Sequence, residues 1–276
     1  MRLKIAILDA AQEVKAEASG EDEVWLVYPQ SYAPGDEIRV ETDAPTAHLV
    51  VALDDAMPIA QLCLMGGRFT LPVPFGAASK AYSPKAFSGG LHRLCVRAAL
   101  REEIAGVRNL ALNPYDGGPN PTLFPHCEAT VITRNEAVFA ARNAIDGEKA
   151  NDNHGFWPYT SWGINRDPSA ALTLSFGRPV LLRAVVLYLR ADFPHDAWWR
   201  QADVIFSNGD RERLELARTG AAQRFAFTER PAEWICLDNL IKADDPSPFP
   251  ALTQIEAWGR DLVSDQHVQE DVGGDP

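Results

Sequence analysis

The chain has 276 residues, and its 46% hydrophobic and 9% aromatic content is enough to fill the cores of two ordinary domains. Acidic residues outnumber basic ones by 38 to 26, so the formal net charge is -12. This balance disfavours a basic surface for nucleic acid, and it also disfavours electrostatic attachment to anionic lipid.

The sequence indicates neither a membrane-spanning segment nor a secretory leader. No apolar run approaches the roughly eighteen residues that a spanning helix requires. Residues 1–11 alternate around Leu3, Ile5 and Ile7, which predicts a first β-strand and lacks the long apolar core of a signal peptide. We therefore expect a cytoplasmic protein.

The four cysteines predict free thiols. Cys63, Cys95, Cys127 and Cys236 are far apart in sequence and form no Cys-x-x-Cys pair. Apolar neighbours, such as the leucines on both sides of Cys63, are typical of buried thiols rather than of disulfides or metal ligands.

Short alternating β-prone segments fill the first hundred residues. Turn sequences such as Ala-Pro-Gly-Asp and Gly-Gly separate them. The segments are residues 24–28, 37–41, 47–53, 61–64, 68–73 and 92–98. This pattern predicts an antiparallel β-sandwich of the immunoglobulin-like kind over residues 1–107, with one short helix within residues 100–107.

A second unit is expected over residues 108–260. It opens with a connection rich in glycine and proline at 114–125 and continues with about eight β-prone runs, the number that a jelly roll needs. The runs are residues 128–133, 171–176, 184–189, 203–207, 213–216, 223–227, 233–237 and 254–258. Residues 261–276 carry several acids and little to bury, which predicts a disordered acidic tail.

Several motifs of the second half occur in an order and spacing that resemble one superfamily. They are residues 109–112, the Asn-Ala-Ile-Asp-Gly turn at 143–147 followed by Trp157 and Trp162, the segments 172–180 and 185–190, and residues 254–259. Together they resemble the discoidin superfamily, which includes coagulation-factor type C and family 32 carbohydrate-binding modules. The resemblance implies a galactose-binding-like β jelly roll. It does not specify a ligand, because this superfamily binds sugars, lipids, peptides and proteins through variable loops.

The resemblance also implies a candidate structural calcium site at Asp146. In many relatives the turn wraps Ca²⁺ with an aspartate, backbone carbonyls and a carboxylate from the closing strand, all hard oxygen ligands. Asn151, Asp152 and Asn153 add oxygens here, but Gln254 stands where the closing-strand glutamate is often found. The alternative is that Asx hydrogen bonds alone stabilise the turn, without a metal.

Three loops are the candidates for a ligand site, if they converge on one rim. The loops are residues 190–200, 151–165 and 242–250. In the resembled family an arginine and its loop neighbours line a sugar site, and an aromatic ring stacks on the pyranose. The residues expected to supply polarity are Arg190, Asp192, His195, Asp196, His154 and Asp244, and Trp157 or Trp198 is expected to supply the platform.

The same residues are also compatible with purely structural roles. Trp162 and Trp199 are equally compatible with core or loop anchors, and Arg190 with Asp196 is equally compatible with a salt bridge that fixes the loop. The sequence contains no signature of a metalloprotease, a serine hydrolase, a phosphate loop or a dinucleotide site.

The sequence therefore favours a non-catalytic protein that binds a small polar ligand or glycan. Two alternatives remain. One is a protein-interaction or scaffold domain that uses the same loops. The other is a glycan-active hydrolase. Such an enzyme needs two carboxylates at a defined separation, and a sequence does not show the distance between them.

Overall fold

The structure is a computed structural model that describes residues 1–117, 120–152, 157–191 and 197–262. The strands of the first half are β1 (Arg2–Leu8), β2 (Val14–Glu21), β3 (Glu23–Tyr28), β4 (Glu37–Thr42), β5 (Thr46–Ala52), β6 (Ala60–Met65), β7 (Arg68–Pro72) and β8 (His92–Ala98). The helix α1 (Arg101–Ala105) follows, and a short 3-10 helix spans Ala78–Ala81.

The second half contains the remaining strands. They are β9 (Arg108–Asn109), β10 (Leu123–Phe124), β11 (His126–Ala129), β12 (Trp162–Gly163), β13 (Leu172–Leu189), β14 (Trp199–Phe206), β15 (Arg211–Glu215), β16 (Gln223–Lys242) and β17 (Ala251–Asp261). Three 3-10 helices, Thr133–Asn135, Ala137–Phe139 and Ala141–Ala144, precede β12.

The strands of the first half, together with β10 from the second half, form a sandwich of two antiparallel sheets. One sheet has the order β2-β1-β4-β7, and the other has the order β10-β6-β5-β8-β3. Alternation explains the core, because Val24, Leu26 and Tyr28 of β3 are buried while Trp25 and Val27 between them are exposed. The predicted β-sandwich is confirmed; its immunoglobulin-like connectivity stays a prediction.

The second half is the predicted jelly roll, an all-β unit around a second core. Its strands are antiparallel in the order β12-β17-β13-β16-β14-β15, and β11 and β9 pair with β13 and β17. The predicted runs 171–176 and 184–189 belong to one strand, β13, and the runs 223–227 and 233–237 likewise belong to β16. Register breaks after Ser175 and Leu182 bend β13, so that one strand wraps around the core.

Gly177 lies at the first of these bends and has a φ of 68°. A Cβ atom on this residue would lie 2.3 Å from the ring of Phe124. Phe124 belongs to β10, which pairs with β6 of the N-terminal sandwich. The bend in the jelly roll is therefore also a point of contact between the two halves.

The connection between the halves packs into the N-terminal core. The Tyr115 ring is fully buried there, and its hydroxyl accepts a hydrogen bond from the Leu53 backbone N–H at 3.0 Å. The Asn120 side chain pairs with the backbone of Thr70 through bonds of 3.1 and 2.6 Å. The segment that the sequence describes as irregular is thus fixed by side chains rather than by a long strand.

The predicted tail begins too early at residue 261. Asp261 is the last residue of β17, is buried, and accepts hydrogen bonds from Arg108 and Arg178. Two guanidinium partners stabilise the buried carboxylate of Asp261. Composition alone does not reveal these partners. Residues 263–276 lie outside the described residues.

All four cysteines are free thiols, as predicted. Burial raises the pKa of each of them, most of all for Cys127, which keeps the thiols protonated at neutral pH. In the described part of the chain, none of the helices has both the length and the apolar character that membrane crossing demands.

Candidate ligand-binding site

One cavity of the jelly roll combines buried polar groups with aromatic rings. Its volume is about 160 Å³. Residues from three segments line it, namely 133–139, 161–166 and 249–251, together with Arg190. Two of the three loops predicted from the sequence therefore converge here, and the third contributes its first residue.

Arg190 follows β13 directly, and its side chain is only 2% exposed. Its guanidinium donates to the carbonyl oxygen of Tyr159 and lies 5.8 Å from the centre of that ring. Its backbone N–H donates to the carbonyl oxygen of Ala251 at 3.0 Å, which ties it to the segment across the cavity. A buried, oriented guanidinium gives the cavity a fixed set of hydrogen-bond donors.

Hydroxyl groups supply the other fixed polar contacts. Thr133 Oγ1 accepts a hydrogen bond from the Asn165 backbone N–H at 2.8 Å, which joins two lining segments. Ser161 is fully buried, and its Oγ has no hydrogen-bond partner among the residues that the structure describes. A buried hydroxyl without a partner is costly, so Ser161 Oγ is a group that a ligand hydroxyl or amide would satisfy.

Two aromatic rings flank the cavity, and each carries an arginine. The Arg166 guanidinium carbon lies 4.6 Å from the centre of the Phe249 ring, and that of Arg134 lies 5.2 Å from the centre of the Phe139 ring. Such stacking fixes a guanidinium plane while its N–H edge stays available for acceptors. Phe249 is 38% exposed, so part of its ring faces solvent.

The backbone beside the cavity is strained at four residues. Arg134, Asn135, Asn165 and Arg166 have φ angles of 50°, 53°, 49° and 65°. Side chains other than glycine disfavour this region, and strain of this kind concentrates at binding sites, where the surrounding structure maintains it. The two turns thus hold both arginines at defined positions.

Three predicted ligand residues lie elsewhere. Trp157 lines a groove between the two halves of the chain, beside Met57 and Tyr82. Trp198 packs on the jelly-roll core, and Asp244 is exposed outside the cavity. His154, Asp192, His195 and Asp196 lie outside the described residues.

The alternatives for two tryptophans are resolved. Trp162 and Trp199 are buried core residues, with ring centres 6.2 Å apart. Trp162 Nε1 donates to the carbonyl oxygen of Val131 at 3.0 Å, so this residue anchors a loop from within the core.

Sequence reasoning missed the most informative lining side chains. Ser161 and Phe249 lie inside loops that were predicted to bind the ligand, and Arg166 lies next to one of them. The prediction instead named the tryptophans and histidines of these loops. Arg134 and Phe139 come from a segment with no aromatic cluster and no motif. The usable signal was the stiff proline frame around Phe249, which presents a ring at a fixed place.

The implied calcium site does not fit the residues present. Gln254 Nε2 donates to Asp146 Oδ1 at 2.6 Å and to the Asn143 carbonyl oxygen at 2.5 Å. Gln254 Oε1 accepts from the Gly147 backbone N–H at 3.1 Å. The glutamine amide thus occupies the two oxygens that a cation would need and presents N–H groups where calcium requires oxygen.

The turn is closed by hydrogen bonds around a buried acid. Burial raises the pKa of Asp146 to about 7. Among the residues that the structure describes, no group of three or more His, Cys, Asp or Glu side chains could hold a metal. The turn is closed by Gln254 and by the Asx bond from the Glu148 backbone N–H to Asp146 Oδ1 at 2.9 Å.

Comparison with known proteins gives similarity at the level of structure only. The sequence matches no model of a protein family, and it matches none of the curated proteins. Several of the solved structures that resemble the chain are carbohydrate-binding modules. The family 32 module of NanJ from C. perfringens, in complex with galactose, is 16% identical with a TM-score of 0.37, over 48% of this chain and 91% of the module.

Two further structures show the same level of similarity. A chitosan-binding module of a chitosanase/glucanase from Paenibacillus sp. IK-5 is 18% identical with a TM-score of 0.37, over 55% of this chain and 99% of the module. A fucose-binding module from Streptococcus pneumoniae is 17% identical with a TM-score of 0.39, over 55% of this chain and 96% of the module. At these scores the similarities do not indicate what this chain binds.

Proposed function

We propose that the chain is a non-catalytic carbohydrate-binding protein whose ligand enters the cavity beside Arg190. The single observation that carries the proposal is the composition of that cavity. It combines a buried guanidinium, a buried hydroxyl without a described partner at Ser161, and a partly exposed ring at Phe249.

These groups match the chemistry of a sugar. A pyranose presents hydroxyls around its rim, which accept from a guanidinium and from Ser161, and its C–H face packs on an aromatic ring. The volume of about 160 Å³ suits a single sugar unit better than a long buried ligand. A binding role needs no further group, whereas glycoside cleavage requires a pair of carboxylates, and the described lining residues contain none.

The proposal is tested by a glycan array with the purified chain, followed by titration calorimetry of the best sugar against Ser161→Ala. Loss of the hydroxyl should weaken binding about tenfold, the effect of one hydrogen bond to a ligand. The thermal midpoint should stay the same or rise, because the substitution removes an unsatisfied buried polar atom.

A matched control is the neighbouring residue Thr160. Its Oγ1 is also buried without a partner among the residues described, but Thr160 does not line the cavity. Thr160→Val should leave sugar affinity unchanged. If no glycan on the array shows saturable binding, the proposal is overturned and a protein-interaction domain is favoured instead.

A further inference from the structure

The charged side chains that line the cavity are all arginines among the residues that the structure describes. Arg134, Arg166 and Arg190 line it, and none of the described lining residues is acidic. The chain as a whole carries 38 acidic against 26 basic residues, so a lining of this kind departs from the average surface. An arginine without an acidic partner at the rim of a cavity favours ligands of negative charge.

Arg166 is the best placed of the three to meet a ligand. It is exposed, its guanidinium is stacked on Phe249, and no acceptor for it exists among the residues described. The nearby acid Asp167 is engaged elsewhere, because its Oδ1 accepts from the backbone N–H and the hydroxyl of Ser169 at 2.8 and 2.7 Å. The N–H fork of Arg166 is therefore oriented by the ring and open to a bidentate acceptor.

Arg134 differs in this respect. Its Nε and Nη2 donate to the two carboxylate oxygens of Glu136 at 2.7 and 3.0 Å. That ion pair neutralises its charge and occupies its fork. Arg134 therefore offers a ligand the flat face of its guanidinium, which is stacked on Phe139, rather than an unpaired positive charge. Glu136 offsets the positive charge on this side of the cavity.

We propose that the sugar bound in this cavity carries an anionic substituent, a carboxylate or a sulfate ester, which Arg166 binds on the outer side of the Phe249 ring. This inference rests on the proposed carbohydrate-binding function and adds the class of sugar. A planar guanidinium stacked on a ring pairs with two oxygens of either group at once, and a neutral hydroxyl offers only one acceptor in that geometry.

The test compares sugars that differ only in charge. Titration calorimetry would use methyl galactoside and methyl glucoside, the corresponding uronates, and their sulfate esters. An anionic sugar should bind about tenfold more tightly than its neutral partner, and the difference should shrink as sodium chloride is raised. The uronate and sulfate arms identify which anion is preferred.

Three variants separate the outcomes. Arg166→Gln should remove the preference for the anionic sugar, so that the neutral and the anionic sugar bind with about the same affinity. Glu136→Gln should strengthen the preference several-fold, because it frees the Arg134 fork. Arg101→Gln, an exposed arginine on α1 in the other half, should change neither affinity.

The failure of this inference differs from the failure of the proposed function. Equal affinity for neutral and anionic sugars, or a preference that Arg166→Gln retains, would overturn the anionic assignment while the carbohydrate site stands. Absence of binding to all of these sugars, and to the full glycan array, would overturn both.

Discussion

The Gln254 side chain closes the turn around Asp146 by hydrogen bonding, with its Nε2 at 2.6 Å from Asp146 Oδ1. A neutral amide can donate to two oxygens and accept from one N–H, and Gln254 does all three across 107 to 111 residues of sequence. The closing strand and the turn are thus joined by this amide.

The substitution Gln254→Glu tests this account. The variant places a second carboxylate beside a buried Asp146, so we expect its unfolding free energy in a chelator to fall by about 2–4 kcal/mol. Added calcium should restore part of that loss, because two carboxylates and the Asn143 carbonyl form an oxygen site. Thermal unfolding with calcium chloride and with chelator measures both effects.

The unaltered chain provides the control for that experiment. Its thermal midpoint should be the same in calcium and in chelator, since the Gln254 amide already satisfies the turn. A rise of several degrees with calcium in the unaltered chain would contradict the account and would show that the turn binds metal despite Gln254.

The ion pair between His126 and Asp116 predicts a stability that depends on pH. His126 Nδ1 lies 2.7 Å from Asp116 Oδ1, and this hydrogen bond raises the pKa of His126 to about 9. The stabilisation is complete below the ordinary histidine pKa of about 6.5 and is lost as pH rises through about 9. We expect it to be on the order of 1–2 kcal/mol.

Urea unfolding of the unaltered chain and of His126→Gln at several pH values checks this dependence. The difference in unfolding free energy should be largest near pH 6 and should shrink as pH approaches 10. A difference that stays constant over this range would mean that His126 contributes through packing alone.

The Tyr115 hydroxyl predicts a measurable contribution at the junction of the two halves. Tyr115→Phe removes the acceptor of the Leu53 backbone N–H inside the N-terminal core, so the unfolding free energy should fall by about 1–3 kcal/mol. Tyr82→Phe is the control, because the Tyr82 hydroxyl has no hydrogen-bond partner in the described part of the chain and its ring contact with Arg142 is kept. A loss for Tyr115→Phe no larger than for Tyr82→Phe would contradict the assignment.

Much of the fold could be predicted because burial follows strand alternation. Strands such as β4 and β8 have their apolar residues on one side, and their predicted bounds are nearly those observed. The strand β2 was not predicted, since it lies at the edge of its sheet and none of its residues is fully buried. The continuity of β13 and β16 was missed because bulges interrupt the alternation of each strand.

The site was only partly predictable, for a different reason. Arg190 was predicted from the family resemblance and from the polar, aromatic loop that it opens, and it lines the cavity. Trp157 and Trp198 were favoured because large aromatic residues in loops are typical of ligand sites, but neither lines this cavity. Trp157 lines the groove between the two halves, and Trp198 packs on the jelly-roll core. Arg134 and Phe139 reach the cavity through a turn whose direction depends on Thr133 and Asn165, a long-range contact that local sequence does not encode.

The proposed sugar site is the cavity between Arg190 and Phe249 rather than the junction groove at Trp157. The most direct measurement is calorimetric titration of the best array sugar against Phe249→Ala and against Trp157→Ala, two aromatic truncations on different surfaces. Phe249→Ala should weaken sugar binding at least tenfold, because the variant lacks the ring on which the sugar packs. Trp157→Ala should bind the sugar with nearly the affinity of the unaltered chain. Full affinity in Phe249→Ala together with loss in Trp157→Ala would contradict the account and move the site to the groove between the two halves.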